Sequence, residues 1–314
     1  MNKNLIAKMS NGFGNQMFLY AAAYAFAKKL NYNLLIDDQT RINLDLKKWN
    51  KKKILYWRPK YELDIFNLKS NIAGSTFKHP GSLARAKRKY IKFINSFSSK
   101  KTFLTELMDK NKRTSYSDNY LSQKYSNTIY LDGYFESENY FKGYRDDLLN
   151  EFSFKLIPDL RNNIFNKIIE DSNVVSIAFR SNRFSESGNK NKFEFEKTLN
   201  FEKIAINYIY RGVEYFKSKL KNPKFLIWSD NFENLNQYFD PKTFTFVQNE
   251  KDKKIFLDFF LMRKCRYFIV GSTSFHWWPA WLCEDKKKII LCPKDAELNV
   301  SSNLNFWPES WIKI

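Results

Sequence analysis

Apolar and polar residues occur in separate runs at the start of the chain, and these runs predict a strand, a helix and a second strand. The apolar run LIAKM at 5–9 predicts a strand, and SNGFGNQ at 10–16 predicts a turn with two glycines. A helix and a second strand, NLLID at 33–37, follow; the apolar helix positions are Phe18, Ala22, Ala25, Phe26 and Leu30. This β-α-β order has the shape of a phosphate cradle, but it contains neither G-x-G-x-x-G nor G-K-[ST].

The second half of the chain alternates more regularly between short apolar runs and longer amphipathic segments. The pattern changes near residue 155. The runs predict strands at 174–179, 225–229, 243–247, 267–271 and 288–292. The segments between them predict helices at 201–220, 231–238, 252–265 and 274–283. Buried strands separated by helices are typical of a parallel sheet covered on both faces. We therefore predict an α/β fold with two Rossmann-like domains, 1–155 and 156–314, that face a cleft.

Composition is consistent with folded domains and excludes several classes of protein. The chain has 314 residues, of which 43% are hydrophobic and 18% aromatic, so it can form sizeable cores and is not a disordered chain. Cys265, Cys283 and Cys292 lie in apolar stretches without a C-x-x-C pair, which predicts reduced core residues of a cytoplasmic protein. We expect neither a signal peptide nor a membrane-spanning helix, because every apolar run is too short.

The net charge of +20 favours an anionic partner. Nucleic acid, anionic lipid and a phosphorylated ligand all fit, and a lysine-rich surface without function is the alternative. An RNA-binding signature such as R-G-F-x-F is absent from the sequence. We therefore expect no nucleic-acid partner, and a basic nucleic-acid-binding protein is the weaker functional hypothesis.

Polar residues occur at the ends of three predicted strands, at the edge where an open parallel sheet binds its ligands. They are Arg180, then Ser229 with Asp230, and then Ser272, Thr273 and Ser274 at a helix start. A guanidinium suits a diphosphate, and hydroxyls at a helix start suit an anion. A carboxylate accepts two parallel hydrogen bonds from guanine, which adenine does not offer. Together these groups predict a site for a guanine nucleoside diphosphate.

Each group also has a purely structural interpretation. The serines and threonine at 272–274 then form only a helix N-cap, and Asp230 caps the predicted helix 231–238. Arg180 then pairs with a structural carboxylate. The convergence of all three groups on one sheet edge favours the binding site.

Four segments resemble the hallmark segments of the bacterial α-1,2-fucosyltransferases, glycosyltransferase family 11, and occur in the same order. They are GFGNQMF, YLDGYFESENYF, FLIWSDNFE and DFFLMRKCRYFIVGSTSFHWWPAW. The family patterns are G-x-G-N-Q-M-F, Y-L-x-G-Y-x-Q-S-x-x-Y-F, F-S-D-D and N-S-S-F-S-W-W-A-W-L. The resemblance covers about the whole chain. It implies a GT-B fold, inversion at the anomeric carbon, and a GDP-sugar donor substrate in the C-terminal domain, with no further cofactor.

The resemblance also implies a role for the glycine turn. Gly12 and Gly14 let the backbone approach a ligand closely, and Asn15 and Gln16 offer amide groups suited to sugar hydroxyls. The turn is then expected to face the transferred sugar and the acceptor, while Phe275 lies against the nucleotide. A packing turn with Asn15 as the helix N-cap is the alternative.

The segment that grips the donor diphosphate in the family, H-x-R-R-G-D-Y, is altered in this chain. The matching stretch is SIAFRSNRF, in which Arg180 falls on the first arginine. Ala178 replaces the histidine, Ser181 replaces the second arginine, and Arg183 stands where the aspartate is expected. Three consequences remain open: Arg183 restores the lost charge, the donor sugar is not fucose, or the chain is a GDP-binding relative that has lost catalysis.

Inverting transfer calls for a carboxylate that activates the acceptor hydroxyl. The candidates are Glu136, Glu138 and Glu186, and the predicted catalytic residues are Arg180, Asn15 and Glu186. No metal is expected, because the sequence has no D-x-D and only two histidines, His79 and His276. His276, within SFHWWPAW, is expected to be a packing residue.

The expected acceptor is an oligosaccharide or a lipid-linked surface glycan, and the expected location is cytoplasmic, peripheral at the inner membrane. Residues 80–105 include no acidic residue, and SLARAKRKYIKFINSF at 82–97 predicts a basic amphipathic helix. Such a helix suits an anionic membrane surface. The alternative is a surface helix that docks its apolar face on the N-terminal domain.

Overall fold

The fold is described from a computed structural model that covers residues 3–40, 60–171, 173–181, 183–184, 192–249, 254–299 and 301–314. The chain divides into two compact units. The first comprises Met1–Lys155 and Ser301–Pro308, and the second comprises Leu156–Val300 and Glu309–Ile314. The segment Ser301–Pro308 therefore belongs with the first unit, although the sequence predicts one continuous domain over 156–314.

The first unit contains a five-stranded parallel sheet. Its strands are β1 Asn4–Lys8, β2 Asn33–Asp37, β3 Asn71–Ile72, β4 Lys101–Thr105 and β5 Tyr125–Asp132, in the order β3-β2-β1-β5-β4. Its helices are α1 Phe13–Leu30, α2 Gly81–Phe97 and α3 Arg145–Glu151. The predicted β-α-β opening is thus present, with parallel pairing between β1 and β2.

The second unit contains a six-stranded parallel sheet. Its strands are β6 Val174–Phe179, β7 Lys224–Ser229, β8 Phe244–Phe246, β9 Tyr267–Ile269, β10 Ile289–Cys292 and β11 Ile312–Lys313. Their order is β11-β10-β9-β6-β7-β8, so β6 lies between β9 and β7. The helices are α4 Ile164–Asp171, α5 Lys192–Lys219, α6 Lys254–Lys264 and α7 Ser274–Leu282.

Burial explains why the strands of the second sheet can be predicted from the sequence. Every residue of β6 is buried, as expected for a central strand with both faces covered. One core cluster joins β6, β7 and β9 to apolar residues of α5, among them Tyr208 and Phe216. The buried Tyr208 hydroxyl donates to the carbonyl oxygens of Val270 and Leu291, at 3.1 and 3.0 Å. These bonds fix the ends of β9 and β10 against α5.

The predicted helix at 231–238 does not form. That stretch is a loop with one short 3₁₀ turn at Leu235–Gln237. Asp230 Oδ1 accepts the N–H of Asn231, Asn231 Oδ1 accepts the N–H of Glu233, and Asn234 has a φ of 60°. Side-chain bonds of this kind compete with helix formation, and a left-handed residue stops it. The helix predicted at 201–220 also begins earlier, at Lys192.

Two further predictions concern the whole chain. Cys265, Cys283 and Cys292 are all buried free thiols, in line with their predicted place in the core. Among the described residues, no helix has both the length and the apolar character needed to cross a membrane.

Candidate functional site

The three polar groups predicted at strand ends fall on adjacent strands of the second sheet. Phe179 ends β6, Ser229 ends β7 and Ile269 ends β9, and β6 pairs directly with both neighbours. All these pairings are parallel, so the loops that begin at Arg180, Asp230 and Val270 leave the same edge of the sheet. This is the edge at which open α/β sheets bind ligands.

Asp230 connects the loop after β6 to the loop after β7. Its Oδ1 accepts the N–H groups of Ser181 and Asn231 at 3.0 and 3.1 Å, and the Ser181 hydroxyl lies 3.4 Å away. These bonds all end on Oδ1. The carboxylate is therefore held by one oxygen, and Asp230 is still exposed to solvent. Asp230 caps no helix, because none follows it.

The charge on Asp230 is set by opposing effects. Desolvation by the surrounding protein raises the pKa of the Asp230 carboxyl above its ordinary value. The N–H groups of Ser181 and Asn231 and the positive charge of Arg180 act in the opposite direction. Arg180 is therefore close enough to Asp230 to influence it electrostatically. The structure brings together these two predicted residues with Ser181, which replaces an arginine of the family pattern.

Ser229 is used mainly within its own turn. Its buried hydroxyl donates to the carbonyl of Asn231 at 2.6 Å and lies 3.3 Å from the Asn231 N–H. This closes the turn that carries Asp230. Ser229 thus shapes the site by positioning Asp230.

The start of α7 is capped by Thr273, the middle residue of the predicted group. Thr273 Oγ1 accepts the N–H of Phe275 at 3.2 Å, while Ser274 is the first helical residue. Ser272 is largely buried and precedes the cap. The Phe275 ring packs edge-on against Phe259 of α6, with 5.6 Å between centroids. The N-cap interpretation is therefore true of Thr273, and the helix start still lies at the ligand-binding edge.

Gly271 holds the loop after β9 close to β6. A Cβ at this position would lie 2.2 Å from the carbonyl oxygen of Ala178, a distance that no side chain tolerates. Ala178 is the residue that replaces the family's histidine. Glycine is therefore required here for a close approach of two backbones.

His276 fixes the same loop from beneath. Its ring is fully buried; Nδ1 accepts the N–H of Gly271 at 3.3 Å, and Nε2 lies 2.8 Å from Ser176 Oγ. Because Nδ1 accepts, the proton resides on Nε2, which donates to Ser176. Burial lowers the pKa of His276 to about 3, so the ring is neutral. The expected packing residue is also a positioning residue between β6 and β9.

Two predicted residues follow Arg180 in the sequence: Arg183 within the altered segment and Glu186 just beyond it. The Arg183 guanidinium lies 6.0 Å from the centroid of the Phe184 ring. Glu186, the predicted base, falls within 185–191 and lies outside the described residues.

The glycine turn of the first unit is organised differently from the prediction. The residue with positive φ is Asn11, at 61°, whereas Gly12 is extended and caps α1 without a side-chain bond. Gly14 and Asn15 lie in the first turn of α1, so Asn15 is not the N-cap. The Asn15 and Gln16 N–H groups both donate to the Gly12 carbonyl, at 3.0 and 3.1 Å.

Gln16 is a structural residue and does not present its amide to a sugar. It is fully buried; its Nε2 donates to the carbonyls of Asn11 and Lys60 at 3.0 and 2.7 Å. Its Oε1 accepts the N–H of Glu62 at 3.1 Å. Gln16 therefore ties the glycine turn to residues 60–62.

A carboxylate of the chain itself lies at the start of α1. The largely buried Glu62 side chain accepts the N–H of Phe13, the first residue of the helix. Burial raises the pKa of Glu62, and this bond and the charge of Lys60 partly counteract the shift. A helix start attracts anions, and here Glu62 takes that position. No local pattern could reveal it, because Glu62 is far from the turn in sequence.

The segment that contains Glu136 and Glu138 is organised by a residue that the sequence analysis missed. The buried Glu106 accepts the N–H groups of Tyr134 and Phe135 at 2.8 and 3.0 Å, and the Tyr140 hydroxyl at 3.2 Å. The Asn303 Nδ2 donates to it at 3.2 Å. Glu136 accepts the Ser301 hydroxyl at 2.6 Å, and both candidate bases are half-buried.

The described part of the chain contains no group of three His, Cys, Asp or Glu side chains arranged to hold a metal ion. A cavity of about 330 Å³ opens in the second unit, but it lies near Val174 and Tyr267, the amino ends of β6 and β9. That is the opposite edge of the sheet from the polar groups. The cavity and the strand-end cluster are therefore separate features of the second unit.

The chain is similar in sequence to known proteins. The sequence model of glycosyl transferase family 11 matches residues 85–314. The Escherichia coli O-antigen biosynthesis glycosyltransferase WbnK is 28% identical in an alignment that covers 98% of this chain and 99% of WbnK. An E. coli alpha-1,2-colitosyltransferase is 25% identical, covering 99% and 98%. The structure of the fucosyltransferase NodZ from Bradyrhizobium aligns at 14% identity with a TM-score of 0.48, covering 89% of this chain and 93% of that protein.

Proposed function

Because this chain belongs to glycosyl transferase family 11 and is a glycosyltransferase, we propose that its substrates are a GDP-sugar and a bacterial surface glycan. The transferred sugar is fucose or a related sugar, and transfer inverts the anomeric carbon without a metal ion. In this proposal the two units adopt a GT-B arrangement, with the donor on the second unit and the acceptor on the first.

One observation carries the assignment of the donor. Arg180, Asp230 and the start of α7 lie on the loops of three neighbouring strands at the ligand-binding edge. Arg180 supplies a guanidinium for the diphosphate, and the start of α7 supplies N–H groups. Asp230 is anchored through Oδ1, so Oδ2 is left to accept hydrogen bonds from guanine. Ser272, Ser274 and Arg183 complete the proposed diphosphate side.

The chemistry of the step follows from these positions. The acceptor hydroxyl attacks the anomeric carbon as the bond to the GDP oxygen breaks, and the leaving diphosphate gains charge. Arg180 and the N–H groups of α7 stabilise that charge. A carboxylate takes the proton of the acceptor hydroxyl, and Glu186 remains our candidate because it follows Arg180 closely in the sequence.

Within this group of sugars, we propose that the donor carries a relative of fucose and not fucose itself. Ala178 and Ser181 leave more room than the histidine and arginine of the family pattern, and Ser181 is engaged by Asp230. One relative is described as an alpha-1,2-colitosyltransferase, a name that refers to a sugar other than fucose. A panel of GDP-fucose, GDP-colitose and GDP-mannose tests this point. Efficient use of GDP-fucose alone would overturn it.

Calorimetric titration with GDP, ADP, UDP and CDP in the presence of a chelator tests the donor assignment. We expect GDP to bind at least tenfold more tightly than the other nucleotides. A preference for UDP, or a strict requirement for manganese, would overturn the assignment. Tight GDP binding without transfer to any glycan would instead identify a relative that has lost catalysis.

A further inference from the structure

Helix α2 attaches to the first unit mainly through polar side chains, with Ile91 as an apolar contact to the core around Phe103 and Tyr130. Arg88 is buried, with its guanidinium 4.8 and 5.0 Å from the ring centroids of Phe103 and Tyr130. Asp132 lies 3.6 Å from Arg88 and also pairs with Lys92. Asn95 Oδ1 accepts the N–H of Phe103 at 3.3 Å. The side of α2 that contacts β4 and β5 is therefore largely charged and polar.

The opposite side of α2 is apolar and faces solvent. Its large side chains have exposed fractions of 46–87%: Leu83 87%, Tyr90 65%, Phe93 65%, Ile94 46% and Phe97 79%. At about 100° per residue, these positions fall within an arc of about 100° on the helix. The orientation is the reverse of an ordinary surface helix, which buries its apolar side. The alternative from the sequence, an apolar face docked on the domain, is therefore wrong.

Basic residues flank this apolar face. Lys87 lies on one side of it and Lys89 on the other, and both are exposed. Pro80–Thr105 contains no acidic residue, and Lys100 adds an exposed charge just beyond the helix. The surface defined by these side chains, the α2 face, is thus apolar in the middle and positive at its rim.

We propose that the α2 face docks on the surface of an anionic phospholipid membrane. The apolar side chains enter the boundary between headgroups and acyl chains, while Lys87 and Lys89 reach the phosphates. A second copy of the chain is a poorer partner, because pairing two identical faces brings their lysines together. The proposal does not depend on the donor assignment, since it concerns only the first unit.

Flotation of the full chain with vesicles tests the proposal. We expect binding to vesicles of phosphatidylcholine with phosphatidylglycerol, and little binding to phosphatidylcholine alone. Phe93→Ser with Phe97→Ser, and separately Lys87→Glu with Lys89→Glu, should each weaken binding at least about tenfold. Circular dichroism and thermal melting should match the parent chain, because all four side chains are exposed.

Two matched controls distinguish binding by the α2 face from an effect of the total number of apolar or basic residues in the chain. Phe193→Ser with Phe195→Ser removes two exposed phenylalanines from α5, and Lys286→Glu with Lys287→Glu makes the same charge change in the second unit. Both should bind vesicles like the parent chain. Equal loss in a control and its α2 counterpart, or no binding by the parent chain at low salt, would overturn the proposal. So would a concentration-dependent dimer that the Phe93 and Phe97 changes abolish without any vesicle binding.

Discussion

At the scale of single residues, Asp230 combines two tasks in one carboxylate. Oδ1 holds the loops after β6 and β7 together, and Oδ2 is the proposed acceptor for guanine. A change that preserves the first task and removes the second can therefore test the assignment.

Asp230→Asn is such a change. The amide oxygen can still accept the N–H groups of Ser181 and Asn231, but the amide nitrogen then faces the donors of guanine. We expect the ratio of GDP to ADP affinity to fall at least about tenfold, or about 1.4 kcal/mol, with little change in melting temperature. Calorimetry measures the ratio, and Asp240→Asn in an exposed turn is the control. An unchanged ratio would mean that Asp230 serves only the loops.

His276 makes the fold sensitive to acid. Burial lowers its pKa to about 3 in the folded chain, whereas an unfolded histidine titrates near pH 6.5. Between these values the unfolded state binds more protons, so the free energy of unfolding falls as the pH drops below 6.5. The contribution is at most about 1.4 kcal/mol per pH unit.

His276→Asn should weaken this dependence. The variant is expected to be less stable at pH 7.5, because the bond to Ser176 is lost, but to lose stability more slowly from pH 6.5 to pH 5. Urea unfolding at several pH values measures the difference. His79, whose pKa burial also lowers, contributes with the same sign in both proteins. If the free energies of unfolding of the parent chain and the variant changed with pH in the same way, His276 would not be the cause of the acid sensitivity.

At the scale of elements, the site depends on how closely the loop after β9 approaches β6. Gly271→Ala places a Cβ against the carbonyl oxygen of Ala178, so one of the two backbones must shift. We expect a loss of about 1–3 kcal/mol in the free energy of unfolding and a parallel loss of GDP affinity.

Gly74→Ala is the matched control, since a Cβ there meets nothing within 4 Å and the backbone has a φ of −63°. Chemical denaturation of both variants against the parent chain measures the difference. If Gly271→Ala is as stable as Gly74→Ala and binds GDP normally, the close approach has no role in forming the site.

Elements with a continuous apolar pattern could be predicted from the sequence. Strand 174–179 has the predicted bounds because burial on both faces leaves a continuous apolar signal. Strand 33–37 is only partly buried, but its apolar run at 34–36 lies between the polar residues Asn33 and Asp37. The helix predicted at 231–238 failed because Asp230, Asn231 and Asn234 favour turns over helices. That competition is local chemistry, which an apolar pattern does not record.

The site was predictable in its position but not in its internal bonds. Strand ends on a parallel sheet gather by topology, so Arg180, Asp230 and the start of α7 could be placed on one edge. The hydrogen-bond partners of Asp230, His276 and Gln16 could not be predicted, because these partners, respectively Ser181, Ser176 and Glu62, are far away in sequence. Such contacts exist only once the chain has folded.

At the scale of the whole molecule, the first unit is not formed by one continuous stretch. Ser301–Pro308 adds to it a short backbone pairing with Thr114, whose carbonyl accepts the Leu304 N–H at 2.8 Å. The segment also brings the Asn303 amide to the buried Glu106 and the Phe306 ring to within 5.9 Å of Phe18. The first unit therefore includes a segment that lies, in sequence, between two parts of the second unit.

A fragment that ends at residue 155 should consequently be unstable. Without Asn303 the Glu106 carboxylate loses a buried hydrogen-bond partner, and without Phe306 the apolar surface around Phe18 is uncovered. We expect the fragment to show low cooperativity in thermal melting and to gain stability when residues 301–308 are joined to it by a flexible linker. Equal melting behaviour of the two fragments, with and without residues 301–308, would show that the segment is dispensable.

Because Ser301–Pro308 belongs to the first unit, that unit can be completed only late in translation. A ribosome adds about 5–20 residues per second, so about 8–30 s pass between residue 155 and residue 308 leaving the peptidyl-transferase centre. By the start of that interval all five strands of the first sheet have been translated, whereas the segment that contacts Glu106 and Phe18 has not. Ser301–Pro308 is translated after Leu156–Val300 of the second unit, so the first unit cannot reach its final stability before most of the second unit has been synthesised.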